Sequence, residues 1–595
     1  MKSRSTRLWR CVFVFSALAT ASPNAAGEYR TTEVESLRIT IDSEWGGRIA
    51  PGYLPIRFEI TNVGEARVIE IVGQNSRYFR GTRVGPAGGS DVRQAVRLTP
   101  GDRVRLTMPV PVYADNESIR LEIREDGRTI ERFNFVSYQS RVPFSDASVL
   151  IVADPATAFG KTAPDWRRAN PPTTTLTAPG GRALAGAPRD FILEPARLPE
   201  NWLGYTSLRA VMVGSGEWKI LSDAQKTALL SWTASGGDLL FVDGGLDLLF
   251  PPGQAPRDPG PGQPVRGYGF GRIHLVPSAT VAGVGLDGVL RGADAAQDPD
   301  WALPVNRSSD WGTIAGRGFR LLIPGIDGVP ARAYLLMLIA FSVLIGPANY
   351  WLLWRRRRQT LMVLTVPVIS AAFILLLGGY VLAGEGLGVH GRAVSFTMLD
   401  QVRKQASTRL SASLYAAGMT PWGGLRFGRE TAMFPLGTDG LGTRERFSLD
   451  LTEAQGFTDG IIEARSPTNF DQIVTRSARE RLSFTREADG RISVVNGLGV
   501  TVNALLYRVG GQDYRLDGPL VSGGKGTLQP GARAALDVVP FDVPLSVRYR
   551  HLVEHQPEGS YLAVLEHSPF WDPGVDRLEE RGSYHFVIGW PEGQP

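Results

Sequence analysis

The chain has 595 residues, 64 Lys plus Arg against 59 Asp plus Glu, and one cysteine. At roughly 100–200 residues per domain this length requires several folded units, and 43% hydrophobic with 21% charged residues excludes a disordered or collagen-like protein. The net charge of +5 would suit nucleic acid, but residues 1–27 carry +4, residues 355–360 another +4, and all the rest sums to −3. No basic field or nucleic-acid motif is left.

Residues 1–27 read as a signal peptide. The basic stretch MKSRSTRLWR precedes the apolar run CVFVFSALATA and the small residues Ala25, Ala26 and Gly27; the run is well short of the ~20 residues that span a bilayer. Cys11 would leave with it, so disulfides hold nothing together in the mature chain. Residues 28–145 alternate like strands in LRITI (37–41), LPIRFEITN (54–62) and VRLTMPVPV (104–112), and Asp126-Gly127 marks a hairpin. This predicts an immunoglobulin-like β-sandwich without the cysteine and tryptophan pattern of antibody domains.

From 146 to 285 the period changes. SVLIVAD (148–154), LRAVMVG (208–214) and DLLFVDGG (238–245) are continuous apolar runs, suited to strands covered on both faces. Between the last two, residues 221–234 have helical spacing, with Ser222 as N-cap and Gly236-Gly237 as stop. Strand, helix, strand predicts an α/β unit with parallel strands. Residues 155–190 and 251–266 read as long loops, GYGFGRIHLVP (267–277) as a strand, and 286–332 as a connector.

The run LPENWLGYTSLRAVMVGSGEWKILSDAQKTALLSWTASGGDLLFVDGG (198–245) resembles the class I glutamine amidotransferase-like domains of uncharacterised bacterial envelope membrane proteins that also carry immunoglobulin-like β domains. The segment Gly346-Pro347-Ala348-Asn349-Tyr350, with the arginines after it, resembles those proteins too. The resemblance implies the fold. Catalytic members use a cysteine nucleophile, which the mature chain lacks, so it argues against that chemistry.

Residues 333–354 and 361–383 contain no Asp, Glu, Lys or Arg and are long enough to cross a membrane as helices. The loop 355–360 between them holds Arg355, Arg356, Arg357 and Arg358, a cluster that the positive-inside rule places in the cytoplasm. Residues 28–332 and 384–595 are then periplasmic, with the hairpin in the bacterial inner membrane. Gly346, Pro347, Asn349 and Tyr350 are expected at the helix packing surface, and Gly378 and Gly379 offer close approach on the second helix. Two helices without intramembrane charge make a poor transport pathway.

Residues 384–595 predict a second β-rich region with its own sandwich. Asn62 precedes Val63-Gly64 and, 38 residues on, Pro100-Gly101; Asn496 precedes Gly497-Leu498-Gly499 and, 34 residues on, Pro530-Gly531. The expected class is thus a multidomain α+β membrane protein.

Candidate chemistry is sparse. His551-Leu552-Val553-Glu554-His555 fits H-x-x-E-H, a zinc pattern that needs a helix, whereas its alternating surroundings favour a strand, where the two imidazoles stand roughly 13 Å apart. A pair of His551 with His567 would lack a third ligand. Ser215, Asp243 and His274 are the residues a hydrolase would need at the α/β strand ends, with an Asx-type turn as the ordinary use of Asp243. Trp166, Trp202, Trp218 and Trp422 lie in loop-like contexts where a ring could stack on a sugar or peptide. The expectation is a non-catalytic envelope protein with no cofactor and no metal, whose partners are the membrane and another envelope protein; the alternative is a periplasmic hydrolase or metal-dependent enzyme.

Overall fold

The computed structural model describes residues 29–42, 52–79, 82–83, 91–112, 117–137, 148–169, 175–177, 183–185, 190–255, 265–280, 322–326, 331–385, 388–417, 424–436, 447–459, 461–531, 553 and 556–593. The expected signal peptide, most of the connector, and His551, Glu554 and His555 lie outside these residues. Among the described residues the protein is mostly β-sheet, with few helices.

The strands Tyr29–Val34, Leu37–Asp42, Gly52–Asn62 and Arg103–Val112 form an antiparallel sheet. Alternation turns Leu37, Ile39, Ile41, Ile56, Phe58 and Ile60 into the core and Thr40, Arg57, Glu59 and Arg105 to the other face. A second layer contains Asp91–Leu98, Arg67–Phe79, Glu117–Glu125 and Arg128–Ser137. Strands from far along the chain extend this layer: Ser448–Asp450 pairs in parallel with residues 91–93, and Gln455–Asp459 and Leu425–Phe427 follow.

The middle region has the expected parallel strands. Asp190–Leu193, Ser148–Val152, Leu208–Gly214, Asp238–Val242 and Gly271–Val276 stand side by side in that order, all parallel. Gly269, at φ +58°, turns the chain between Val265–Tyr268 and Gly271–Val276, so the single strand expected at 267–277 is instead part of an antiparallel hairpin. The helix Asp223–Ala234 starts at a reciprocal cap, Gln225 N–H to Ser222 Oγ at 3.2 Å and Ser222 N–H to Gln225 Oε1 at 3.0 Å. The loop expected at 155–190 contains a helix, Ala158–Ala169. Gly160 and Pro164 disguise it in the sequence, but Phe159 and Ala163, four residues apart, bury against the sheet and tertiary packing overrides propensity.

Two helical segments of 22 residues, Tyr334–Arg355 and Gln359–Tyr380, are long and apolar enough to cross a membrane. They are not core helices: 6% and 0% of their apolar windows are buried, and Leu336 and Val363 are 68% and 85% exposed. A π-helical turn, Leu344–Ala348, accommodates Pro347. Asn349 Nδ2 donates to Thr365 Oγ1 across the hairpin at 2.9 Å, and Phe341 meets Phe373 at 4.7 Å between ring centroids. Gly346, Gly378 and Gly379 have open space around them, and Tyr350 is exposed.

After the hairpin, Val389–Asp400 pairs antiparallel with Gln405–Ala416 and parallel with the last strand, Tyr584–Trp590. The same sheet continues into Arg481–Arg486, Ile492–Gly497, Val502–Val509, Gln512–Leu516 and Lys525–Pro530, which close over their own core of Leu482, Ile492, Val494, Leu505 and Leu528. A single larger core runs through the N-terminal β unit, the α/β unit and the strands between 393 and 470. The regions read from the sequence as a row of units are therefore packed together.

Candidate functional site

A concavity of about 700 Å³ lies where three regions meet. Its floor is the outward face of the first sheet. Cross-strand register sets Asp42 opposite Arg57 and Glu59 opposite Arg105, the arrangement that opposite charges favour on a sheet. A second wall, with Arg197, Asn201 and Leu203, comes from the loop after Asp190–Leu193. Gln225 of the capped helix fixes that loop by donating to Pro195 O at 2.9 Å and Leu198 O at 3.1 Å. Gln94, Arg429, Leu451 and Gln455 supply the third.

Backbone contacts lock the walls together. A Cβ on Gly52 would stand 2.6 Å from Ser207 N, so only glycine permits this approach. Beside it, Tyr53 N–H donates to Thr206 Oγ1 at 2.8 Å. The Tyr53 hydroxyl accepts from Met433 N–H at 3.0 Å and contacts Gln455 Oε1 at 3.1 Å, tying residue 53 to strands some 400 positions away. Tyr205 donates to Pro199 O at 2.8 Å; burial, only partly offset by the Arg57 charge, pushes its phenol well above the usual value, so it stays a donor.

Each floor carboxylate serves two guanidiniums. Asp42 Oδ2 is 2.6 Å from Arg197 and 3.9 Å from Arg57; Glu59 pairs with Arg103 and, at 3.2 Å, with Arg105. Burial raises the Glu59 carboxyl, but the two arginines outweigh it and hold the group below the ordinary carboxylate range. Arg429 is spent on backbone carbonyls, Glu453 O at 2.9 Å and Thr452 O at 2.6 Å. Asp42 is 8% exposed, and its Oδ1, like Gln94 Oε1, is buried without a hydrogen-bond donor among the described residues.

The residues a hydrolase would need do not form a triad: strand register sets Ser215 and Asp243 just beyond the paired Gly214 and Val242, but His274 is paired with Leu240, two residues short of that end. Ser215 opens a helix after Leu208–Gly214. Asp243, at φ +51°, accepts from Ser278 N–H at 2.8 Å, which replaces the expected Asx-type turn. His274 is buried inside its strand, 3.5 Å from Asp238 at the opposite end of the sheet. Asp238 itself takes a bidentate pair from Arg272 at 2.6 and 2.7 Å. Burial raises its carboxyl, but His274 and Arg272 outweigh that and hold it far below the usual range.

Elsewhere among the described residues there is a triad-like connection: Ser395 Oγ to His585 Nδ1 at 2.8 Å, and His585 Nε2 to Glu580 at 2.8 Å. Ser395 and His585 are completely buried within paired strands, so this network satisfies polar groups in a sheet and offers no substrate a path. Trp202 and Trp218 are buried, not exposed platforms, and donate to Glu430 O and Leu248 O, each at 3.0 Å; Trp422 and the Trp166 side chain lie outside the described residues. Among the described residues no group of three or more His, Cys, Asp or Glu is placed to hold a metal ion.

No cleft residue stood out in the sequence, because its walls come from distant segments. The available signal was charge at alternate positions, Arg57-x-Glu59 and Arg103-x-Arg105, on strands whose other face is apolar. The chain matches no protein-family model and no curated protein. Among solved structures it is similar to a Bacteroides uniformis β-glucuronidase, at 9% identity over 36% of this chain and 24% of that one, with a TM-score of 0.13. A carbohydrate acetylesterase from Xanthomonas citri shares 11% identity over 33% of this chain and 59% of that one, with a TM-score of 0.14. Similarity this slight carries neither a fold nor a function.

Proposed function

We propose that this is a non-catalytic envelope protein of the bacterial inner membrane. A cleaved signal exports it, the two-helix hairpin anchors it, and its β and α/β regions stand in the periplasm, where they bind a protein or envelope-polymer partner in a scaffold or assembly role. The observation that carries the reading is the hairpin: two charge-free apolar helices with exposed surfaces, joined through four arginines, attached to tightly packed polar domains. Lipid is the solvent that makes such surfaces stable, and the arginine loop sets the orientation. The resemblance of the α/β segment to amidotransferase-like domains, in a chain whose one cysteine lies in the signal, agrees with binding in place of catalysis.

Two measurements test it. A reporter active only after export should be silent when fused after Arg358 and active when fused after Pro595; activity at the arginine loop overturns the placement. Photocrosslinkers spread over the periplasmic surface in intact membranes should trap a defined envelope partner. Uniform failure to trap one, with the hairpin correctly inserted, overturns the binding role.

A further inference from the structure

We infer that the arginine loop at the tip of the hairpin, Arg355 to Arg358, is a binding site for the phosphate headgroups of anionic phospholipids; this rests on the membrane anchoring proposed above. Depth, charge and neighbouring surface carry the inference.

Depth comes first. Each helical segment has 22 residues, which at 1.5 Å per residue is about 33 Å, against a hydrocarbon core of ~30 Å. The loop therefore emerges at the level of the lipid phosphates. Tyr350, Trp351 and Trp354 are exposed just before it, where amphipathic rings sit at a membrane surface.

Charge comes second. All four arginines are exposed, and no Asp or Glu occurs between 333 and 383 to neutralise them. The Arg355 guanidinium lies over the Trp351 ring, 5.5 Å from its centroid, one turn back towards the membrane, so its charge is held among the headgroups. Another of the four builds the turn itself. Arg357 N–H donates to Trp354 O and Arg358 N–H to Leu353 O, each at 3.0 Å, the pattern that closes a helix through a left-handed residue and favours glycine there. Arg357 takes that conformation, at φ +51°, and keeps a side chain where the backbone is easiest without one. What the side chain adds is a further guanidinium, able to grip a phosphate through two N–H groups.

The third property is the surface that adjoins the charges. Leu352 and Leu361, one on each helix, are 45% and 40% exposed. A ligand that matches both is an anion carried on top of an acyl chain. A phospholipid supplies that combination, whereas free phosphate or a soluble acidic partner offers the anion alone, and a leaflet of net negative charge concentrates such lipids around each cation.

The test uses the full-length protein in phosphatidylcholine vesicles with a trace of spin-labelled phosphatidylglycerol or spin-labelled phosphatidylcholine; the share of label immobilised by the protein gives the relative association. Phosphatidylglycerol should associate about threefold or more strongly at low salt, and less so at physiological salt. R355Q, R356Q, R357Q and R358Q together should bring the ratio close to one, while the four changes to lysine should keep most of it. Arg357→Gly, which suits the turn and so preserves the hairpin, should lower the ratio to an intermediate value. Equal association of the two lipids, a ratio unchanged by the four glutamines or by Arg357→Gly, or loss of the preference in millimolar inorganic phosphate, which marks a site for a free anion, would each overturn the assignment. If the protein resists alkaline extraction from the vesicles yet shows no lipid preference, the loop assignment falls and the anchoring stands; if it is extracted, the anchoring falls with it.

Discussion

The N-terminal β unit and the C-terminal one, residues 481–565, are organised around the same local device and closed in different ways. In the first, Asn62 is fully buried, donates to Glu65 O at 2.8 Å and Thr99 O at 3.2 Å, and accepts from Gly64 N–H at 3.1 Å. In the second, Asn496 is fully buried, donates to Val500 O at 2.8 Å and Leu520 O at 2.9 Å, and accepts from Leu498 N–H at 3.0 Å. Their main chains match as well: Asn62 bonds Asp102 O and Gly101 N–H, and Asn496 bonds Gly524 O and Gly523 N–H. Strand pairing agrees, since Leu37–Asp42, Gly52–Asn62 and Arg103–Val112 stand in the order of Arg481–Arg486, Ile492–Gly497 and Lys525–Pro530.

What differs is the closure. Gln512–Leu516 pairs with both Val502–Val509 and Lys525–Pro530, which makes the C-terminal unit one continuous sheet. Its N-terminal counterpart, Asp91–Leu98, instead pairs with Arg67–Phe79 and then with Ser448–Asp450, a strand that lies beyond the apolar helical hairpin in the sequence. One lock therefore supports both a self-contained unit and one whose edge is completed by distant chain, and a completed edge is protected from pairing with another molecule.

The borrowed strand gives the largest expected effect. Leu449 is fully buried at its centre, and Leu449→Ala should cost about 2–5 kcal/mol through the cavity it leaves. If the N-terminal unit depends on this strand, the loss will show as faster hydrogen exchange in residues 67–74, with the C-terminal unit unchanged. Equal loosening of both units would erase the contrast. The two locks come next: Asn62→Ala and Asn496→Ala each strand two carbonyls and one N–H, so each should cost about 2 kcal/mol. Matching decreases in local exchange protection would sharpen the equivalence, and a marked imbalance would break it.

The smallest effect is acid sensitivity. Hydrogen bonds from the Thr99 backbone and hydroxyl hold the exposed Asp102 carboxyl below its ordinary value, whereas the equivalent position, Gly524, has no side chain to titrate. The stabilisation from Asp102 is complete above its unfolded value of about 3.9 and is lost as pH falls through the lower folded one. Protection factors at Gly101 should fall as pH drops below about 4 more than those at Gly523, and identical curves would refute the difference.

Particular residues show how far the sequence could be read. The repeat was visible as Asn62 and Asn496 ahead of a Pro-Gly pair, yet the loop that meets Asn496 is 520–524; Gln529-Pro530 belongs to the strand that follows. A four-letter match marks the kind of element and cannot fix its register. Ser222 with Gln225 announced a helix because capping is local, whereas the helix at 158–169 was masked by Gly160 and Pro164 and depends on a sheet it must first meet. The cleft was not legible, since Arg57, Arg197 and Arg429 come from three segments and acquire meaning only when packed.

By itself the sequence determined what short-range physics controls: two apolar runs long enough to cross a membrane as helices, the four arginines between them, the parallel strands of the α/β unit, and the alternation that divides each strand between core and surface. Only the tertiary structure decided which strand completes which sheet, that Tyr53 joins three regions, and that Asp42 lies buried with one oxygen unmatched. Those outcomes come from contacts separated by hundreds of residues, where many pairings satisfy the same pattern and close packing selects one of them.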